Sequence, residues 1–383
     1  MIHKLVTDAL LTCCRTEAEL LQLRQEMEAG NMAAAWSIQD NLAREKTGFR
    51  CNTCGRFFPG LEIFHNGQPI DPKAISKPIG TLRKYKKSCD IFLGNHYYAT
   101  NKKTLLRFEI AGDGSAVQTD EWPIMTGVYQ VALSPQERYI ATETFEHTIA
   151  VIDAATKQTI AKKRKLNLNG AFRLTDNGEF LYFQDHAIRC WHFLENREEL
   201  LWQMPESEKV SGRHIYCADL LALDRERTLV RFGGTVSDLA VILRGITPIR
   251  ELKLPAAQPH TLSYQPRLDR FTLATQEKVL VCDNEFRLLD EFPYPNILTR
   301  QDGGRMFLIK EFDRKPLKHA HLSPDGKWVL LDFFAYLLLL DRESGELRYC
   351  VYSHTGTTST QSGFVDSKHL WYNWAGSTCV MDI

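Results

Sequence analysis

The sequence predicts an all-β protein built from a repeated four-stranded unit, and two patterns support this prediction. Short apolar runs that end in a polar residue recur about every 40 residues along most of the chain. Each run follows two further apolar stretches that flank a turn rich in Pro, Asn, Asp and Gly. Four short strands in each repeat of about 40 residues are typical of a β-propeller blade.

Seven apolar runs carry the repeat. Each is only five or six residues long and lies between turn signals, whereas a buried helix should reach about ten residues. Because the runs are continuously apolar, we expect each to be a third strand covered on both faces. The spacing is longer before the fourth and sixth runs, which indicates either an extra hairpin or a blade count that is wrong by one. The runs are TLLRFE (104–109), TIAVID (148–153), AIRCWH (187–192), LAVILR (239–244), KVLVCD (278–283), YLLLLD (336–341) and TCVMD (378–382).

The stretches before these runs predict hairpins. Pro presets φ in their turns, Asn and Asp bond to nearby backbone, and Gly permits positive φ. After the run, a further turn leads into a more polar strand, as in DRESGELRYCVYS, which suits the exposed edge of a small sheet. The hairpins are predicted at 131–142, 172–183, 262–275, 320–332 and 363–374.

The seventh unit lacks a fourth strand, since its third-strand run ends at Asp382. Residues 79–94 resemble residues 158–174, where a fourth strand is followed by a first strand. We therefore predict a seven-bladed β-propeller over residues 79–383, closed by an N-terminal strand near residues 79–86 that completes the last blade.

Three stretches resemble the WD40 and YVTN-like propeller superfamily: LSPDGKW (322–328), ALSPQERYIATE (132–143) and IAVIDAATKQ (149–158). The chain has neither the Trp-Asp dipeptide nor the Gly-His pair of WD40 blades, so their characteristic hydrogen-bond network is not carried over. The resemblance implies a scaffold fold and, most often in such families, a role in binding proteins.

The region before the repeats differs in composition. Residues 1–48 are rich in Leu, Glu, Gln and Arg, with a break at Gly30, and predict an α-helical hairpin. This appendage would pack on the side of the propeller or, alternatively, bind a partner or dimerise.

Residues 49–78 form a predicted linker that contains a Cys-x-x-Cys pair. Cys51 and Cys54, followed by a glycine, look like a zinc knuckle. A closed zinc site needs four ligands, and His65 and Cys89 are the nearest residues that could complete it. With one pair only, two reduced cysteines in a turn are the more common arrangement.

Composition excludes several classes. Lys plus Arg equals Asp plus Glu at 47 each, which disfavours nucleic acid as the main partner. The longest apolar stretch is interrupted by Asp332 and is shorter than the roughly 20 residues of a membrane span. We see no secretion signal, and the ten cysteines show no disulfide framework, so we expect a cytoplasmic protein.

Signatures of catalysis are missing from the sequence. It contains no G-x-S-x-G, G-x-x-x-x-G-K, H-E-x-x-H or G-x-G-x-x-G motif. His319 and His321 lie on one face of a first strand but make only half a metal site. A polar lining of the central channel is their alternative role.

We expect partners to meet the turns between second and third strands, whose aromatic and polar residues suit peptide recognition. The prediction is a non-catalytic scaffold or adaptor that binds another protein or peptide through this face and the appendage. One alternative is a metal-dependent propeller hydrolase or lactonase acting in the central channel, and another is a structural subunit of a larger complex. The candidate residues are Phe145, His147, Asp185, His186, Phe333, Phe334 and Trp374.

Overall fold

The structure is a computed structural model of the 383-residue chain. It describes residues 48–50, 57–79 and 90–383, except residues 60 and 67 and several short stretches between strands. The longest of these stretches are 255–260, 308–318 and 354–361. The helical hairpin predicted for residues 1–48 and the Cys-x-x-Cys pair lie outside the described residues.

The chain divides into two compact units, and each is described by itself. The larger unit holds residues 82–275 and 280–291, and the smaller holds the remainder. The N-terminal part of the smaller unit begins with paired strands on either side of the Cys-x-x-Cys pair. Its elements are β1 (Gly48–Arg50), β2 (Phe57–Pro59), β3 (Leu61–His65), β4 (Gln68–Ile70), α1 (Pro72–Ile75) and β5 (Ser76–Ile79).

Five four-stranded antiparallel sheets follow one another along the chain, and their strands belong to the larger unit except at residues 278–279 and 292–293. In every sheet, strands adjacent in sequence are adjacent in space. Sheet 1 is β6 (Asp90–Leu93), β7 (His96–Asn101), β8 (Thr104–Ile110) and β9 (Ala116–Pro123); sheet 2 is β10 (Val128–Leu133), β11 (Tyr139–Thr144), β12 (Ile149–Asp153) and β13 (Thr159–Lys163); sheet 3 is β14 (Arg173–Leu174), β15 (Glu179–Gln184), β16 (Ala187–His192) and β17 (Arg197–Gln203); sheet 4 is β18 (Tyr216–Ala222), β19 (Arg227–Gly233), β20 (Leu239–Arg244) and β21 (Thr247–Lys253); sheet 5 is β22 (Thr261–Gln265), β23 (Arg270–Ala274), β24 (Lys278–Asp283) and β25 (Leu288–Pro293).

The smaller unit contains two more sheets of the same kind. A separate hairpin lies between sheets 5 and 6. The insertion before the sixth apolar run is therefore an extra hairpin. Before sheet 4 the longer connection includes a 3-10 helix, Glu206–Glu208. The remaining strands are β26 (Leu298–Asp302) and β27 (Arg305–Phe307) of the hairpin, β28 (His319–Leu322), β29 (Trp328–Asp332), β30 (Tyr336–Asp341) and β31 (Leu347–Ser353) of sheet 6, and β32 (Ser362–Phe364), β33 (His369–Trp374) and β34 (Ser377–Asp382) of sheet 7.

All seven predicted runs lie in third strands, which confirms the repeat. In β12 every residue before Asp153 is buried, and β20 is buried from Leu239 to Leu243. The fourth strands are largely exposed, as predicted for outer edges. Consecutive sheets share their cores: one cluster joins Ile149 of sheet 2 to Phe180 of sheet 3, and another joins Leu330 of sheet 6 to Tyr372 of sheet 7.

The Ser-Pro turns between first and second strands are built alike in sheets 2 and 6. Ser134 is fully buried, and its Oγ accepts the backbone N–H of Tyr139 at 3.0 Å. Ser323 repeats the contact with Trp328 at 2.9 Å. The proline sets φ for the turn, and Gly326 takes the positive φ of +77° that follows. The sequence likeness of these stretches thus reflects one shared hydrogen-bond pattern.

The Asp residues that end third strands organise the next turn. Asp153 Oδ1 accepts the N–H of Thr156 at 2.8 Å, and Asp341 Oδ1 accepts the N–H of Ser344 at 3.0 Å. These backbone donors are the main reason that the pKa of Asp153 and of Asp341 lies below its usual range. An aspartate at this position therefore turns the chain towards the fourth strand.

The turn between the second and third strands lies at one end of the strands of each sheet. We call this end of the sheet its upper edge. The carbonyl of that turn accepts a hydrogen bond from the residue that follows the fourth strand. His147 O receives Leu166 N at 3.0 Å in sheet 2, and His186 O receives Met204 N at 2.9 Å in sheet 3. The turn and the connection to the next sheet therefore lie together at the upper edge.

Sheet 6 has six strands, because β3 and β4 extend it beyond its fourth strand. β3 pairs antiparallel with β31, with Ile63 opposite Val351, and both side chains are buried. β31 is covered here, which explains why it is more apolar than the other fourth strands. The sequence did not predict this addition.

The last sheet is completed from the N-terminal side, as predicted, but by an earlier segment. β5 pairs with β34, with Ser76 opposite Met381 and Ile79 opposite Thr378. The Ser76 hydroxyl also bonds the Tyr372 hydroxyl at 2.8 Å. The predicted location near residues 79–86 was wrong, apart from Ile79, because its likeness to 158–174 rested on the basic run that follows β5.

The buried side chain of β3 provides a test of the added strands. Ile63→Ala removes apolar contacts from a fully buried site, so we expect it to lower the free energy of unfolding by about 2–5 kcal/mol. The control is Val117→Ala on β9, where the side chain is 63% exposed and the loss should stay within about 0.5 kcal/mol. Urea unfolding measures both, and equal losses would contradict the packing of β3 in sheet 6.

Candidate partner-binding site at the upper edge of sheet 2

The predicted partner-binding residues fall into three groups. Phe145 and His147 lie in the upper turn of sheet 2, and Asp185 and His186 lie in that of sheet 3. Trp374 ends β33, paired with Ser377. Phe333 and Phe334 lie outside the described residues. The residues of the turns in sheets 2 and 3 belong to the larger unit, so the candidate site is described from them.

Phe145 is held in an exposed position by a tight turn. His147 N donates to Thr144 O at 2.9 Å, and Thr144 N donates to Thr148 O at 3.1 Å. The turn closes with His147 at a positive φ of +54°. Within the described residues, Phe145 is the most exposed large apolar side chain, at 72%. Its backbone is fixed while its ring faces solvent.

Two further contacts orient Phe145, one from the residue that precedes β10 and one from β10 itself. The Phe145 N–H donates to Gly127 O at 3.1 Å. The Phe145 ring stacks on Tyr129, with centroids 4.8 Å apart and planes inclined by 23°. Gly127 has a φ of +75°, a conformation that other residues adopt only with strain. The two rings thus form a preorganised aromatic platform, named here the Tyr129–Phe145 platform.

A carboxyl group lies beside Tyr129 of the platform. Glu143, near the end of β11, is 0% exposed, and neither of its oxygens has a hydrogen bond. The imidazole of His147 lies beside it, with Nδ1 3.6 Å from Oε1, too far for a hydrogen bond. Burial raises the pKa of Glu143 above its usual range, although Tyr129 and His147 act in the opposite direction. The site therefore holds a carboxyl group that is poorly solvated when ionised.

Sequence reasoning missed Glu143 and Tyr129. The available sequence signal was a charged residue within a mostly apolar second strand. In the structure every residue of Tyr139–Thr144 is buried, including this glutamate. Acidic residues are seldom fully buried without a partner, so such a position is unusual. From sequence alone, Glu143 could equally have ended the strand at the surface.

The upper turn of sheet 3 has a different character. Asp185 and His186 both adopt positive φ, at 52° and 59°, as a two-residue hairpin turn of the primed type requires. His186 O accepts hydrogen bonds from Met204 N at 2.9 Å and from the Gln203 side chain at 3.0 Å. These two residues therefore shape the turn, and Asp185 is exposed there.

The basic run at residues 162–165 begins with the last two residues of β13 and lies at the upper edge of sheet 2. Lys162, Arg164 and Lys165 are exposed, and Lys163 pairs with Glu198 of β17. The next residue, Leu166, bonds the carbonyl of His147. Positive charge thus borders the platform on one side. The sequence has another basic run at 83–87, which lies outside the described residues.

The predicted metal-binding residues do not assemble a site in the described part of the chain. His319 and His321 stack with ring centroids 5.8 Å apart, and burial followed by the charge of His319 lowers the pKa of His321 to about 3. His65 stacks on Tyr349 at 4.6 Å, and its Nε2 is buried without a hydrogen bond. No group of three His, Cys, Asp or Glu side chains among the described residues is placed to hold a metal ion. Cys51, Cys54 and Cys89 lie outside them.

The cysteines that the structure describes are reduced and buried. Desolvation raises the pKa of the Cys190 thiol to about 12 and that of Cys282 to about 11, so neither is a reactive thiolate. They act as small core side chains. The five residues are Cys190, Cys217, Cys282, Cys350 and Cys379. In the described part of the chain, no helix has the length and apolarity needed to cross a membrane.

Comparison with known proteins identifies the architecture. No protein-family model and no curated protein matches the sequence. The β-propeller domain of Cps50 (Swd1) from Myceliophteria thermophila superposes with a TM-score of 0.54 at 13% identity, covering 80% of this chain and 99% of that one. The fold is a seven-bladed β-propeller. The structure of U3-55K agrees, with a TM-score of 0.52, 12% identity and coverage of 81% and 99%. At these identities the propellers share their fold, as the resemblance to WD40 and YVTN-like repeats implied.

The buried carboxyl group gives this propeller blade a distinctive pH dependence. Because the folded-state pKa of Glu143 is raised, its stabilising protonated form is lost as the pH rises through that value. Glu143→Gln should therefore raise the free energy of unfolding at pH 8, by about 1–3 kcal/mol. The gain should shrink towards pH 4.3, the ordinary Glu pKa.

Thermal melting across this pH range measures the effect. The control is Glu146→Gln, an exposed glutamate in the same turn, for which we expect little change at any pH. A glutamine variant at 143 that is less stable than wild type at pH 8 would show that the carboxylate is well stabilised, contrary to its contacts.

Proposed function

We propose that this propeller is a non-catalytic protein-interaction module that binds a segment of another protein at the upper edge of sheet 2. The observation that carries the proposal is the exposed Phe145 ring, fixed by its turn and stacked on Tyr129. A rigid aromatic side chain loses little entropy on binding and is a common hot spot of protein interfaces. Partner contact therefore needs little rearrangement of the site.

Other features support a protein partner. The balanced charge of the chain disfavours a polyanion, and the platform combines aromatic and polar groups as peptide-binding surfaces do. The fold itself is a scaffold that carries many functions, so the argument rests on the site. Asp185 and the basic run would contact residues that flank the anchored position. Cysteine usage further favours a reducing, cytoplasmic compartment.

Peptide selection tests this function. A random-peptide display library is panned on the wild-type protein, and the affinities of the enriched peptides are measured by fluorescence anisotropy. Phe145→Ala should weaken them at least tenfold, because it removes the anchor of the platform. The matched control is Leu194→Ala, which removes a 59% exposed side chain from the opposite edge of sheet 3. Equal affinities in all three proteins would refute the proposed site.

The zinc knuckle is a separate proposal. Cys51 and Cys54 are bracketed by the paired strands β1 and β2, an arrangement that suits a Cys-x-x-Cys turn. His65 offers a buried Nε2 without a hydrogen bond, and its pKa is lowered by burial and by Arg348, so it would bind a metal in its neutral form. Cys89 remains the other proposed ligand.

Elemental mass spectrometry of the tag-free protein tests the knuckle. We expect one zinc per chain in the wild type and none in a variant carrying both Cys51→Ser and Cys54→Ser, since two of four ligands are lost. Cys190→Ser, at a buried core thiol, should keep the metal. Zinc retained in the double variant would place the metal elsewhere, and its absence from the wild type would end the proposal.

A further inference from the structure

The missing hydrogen bonds of Glu143 indicate which chemical groups its site can bind. Among the described residues, Glu143 is the acidic side chain whose two oxygens are both buried without a hydrogen bond. An ionised carboxylate can accept about four hydrogen bonds, and burying it without them costs several kcal/mol. A ligand that brings N–H donors and positive charge would satisfy it. No ammonium or guanidinium group of the described residues does so.

The groups around Glu143 suit a cation as well. The Tyr129–Phe145 platform offers two aromatic rings, and aromatic faces attract ammonium and guanidinium ions. A cationic side chain reaching the carboxylate would lie against these rings along its aliphatic stem. The site therefore combines a charge partner with an apolar wall.

The route to the carboxylate passes His147. Its side chain is 47% exposed. The His147 backbone is held separately, by the hydrogen bond from its N–H to Thr144 O. The imidazole is 3.6 Å from the carboxylate and makes no hydrogen bond with it, so moving the ring aside breaks little. An incoming cation can take its place.

We propose that Glu143, Tyr129 and Phe145 form a receptor for one lysine or arginine side chain of the partner protein, which enters in place of the His147 ring. This inference rests on the proposed function and adds the chemistry of the partner. Lys162, Arg164 and Lys165 border the same edge and repel further positive charge. The preferred partner segment thus carries a single cationic residue between neutral or acidic neighbours.

Two acetylated, amidated pentapeptides test the receptor, Asp-Gly-Arg-Gly-Glu and the same peptide with norleucine at its centre. Norleucine keeps an aliphatic stem and lacks the charge. Isothermal titration calorimetry at pH 8 should show the arginine peptide binding at least tenfold more tightly. Glu143→Gln should remove that preference, whereas Glu146→Gln, in the same turn, should change the affinity by less than threefold.

Each outcome decides between the possibilities. Equal losses in Glu143→Gln and Glu146→Gln would reduce the effect to long-range charge and overturn the receptor, as would equal binding of the two peptides. If the arginine peptide does not bind but display-selected peptides still depend on Phe145, the receptor fails and the proposed function stands. If the arginine peptide binds through Glu143 while selected peptides ignore Phe145, the platform fails as the partner anchor. Thermal melting of Glu143→Gln confirms that the variant is folded.

Discussion

The structure depends on one constraint: within the described residues, the sheets of this propeller share their cores with their neighbours. Each described cluster of buried side chains draws from two consecutive sheets, as in the packing of Leu181 in sheet 3 with Val230 in sheet 4. A four-stranded sheet of five-residue strands buries too little surface to be stable alone. The third strands must therefore be largely apolar on both faces, and polar residues are most frequent in the turns and fourth strands. Functional groups are consequently concentrated at the sheet edges.

This constraint explains what the sequence could predict. The third strands were visible because burial on both faces leaves an uninterrupted apolar run, and the turns were visible because Pro, Asp and Gly each have a local backbone role. The added strand β3 was not visible, since its apolar character is explained only by β31, almost 300 residues later in the chain. The position of β5 was misjudged for the same reason: pairing with β34 is decided by contacts, and the nearby basic run gave a misleading local likeness.

The candidate site was predictable only in part. An aromatic residue in the turn after a second strand pointed to Phe145, whereas its exposure depends on the hydrogen bond to Gly127 and on the Tyr129 ring. The burial of Glu143 depends on residues from two strands and a turn, so no local pattern reports it. Asp185 and His186 show the opposite case, because the polar pattern that suggested recognition is required by a hairpin with positive φ at two positions. The electrostatics of the site thus arise from packing.

β3 and β5, which pair in sheets 6 and 7, are synthesised long before their partner strands. Ser76 leaves the ribosome 296 residues before Tyr372, whose hydroxyl it bonds, and β3 precedes β31 by a similar interval. At about 5–20 residues per second, these two N-terminal strands wait roughly 15–60 s for their partners. Sheets 1 to 4 need no such delay, because their strands follow one another directly. During translation β3 can pair with β4, but its other edge and β5 still lack their C-terminal partners. It is in this interval, rather than in the finished fold, that the chain is most exposed to mispairing.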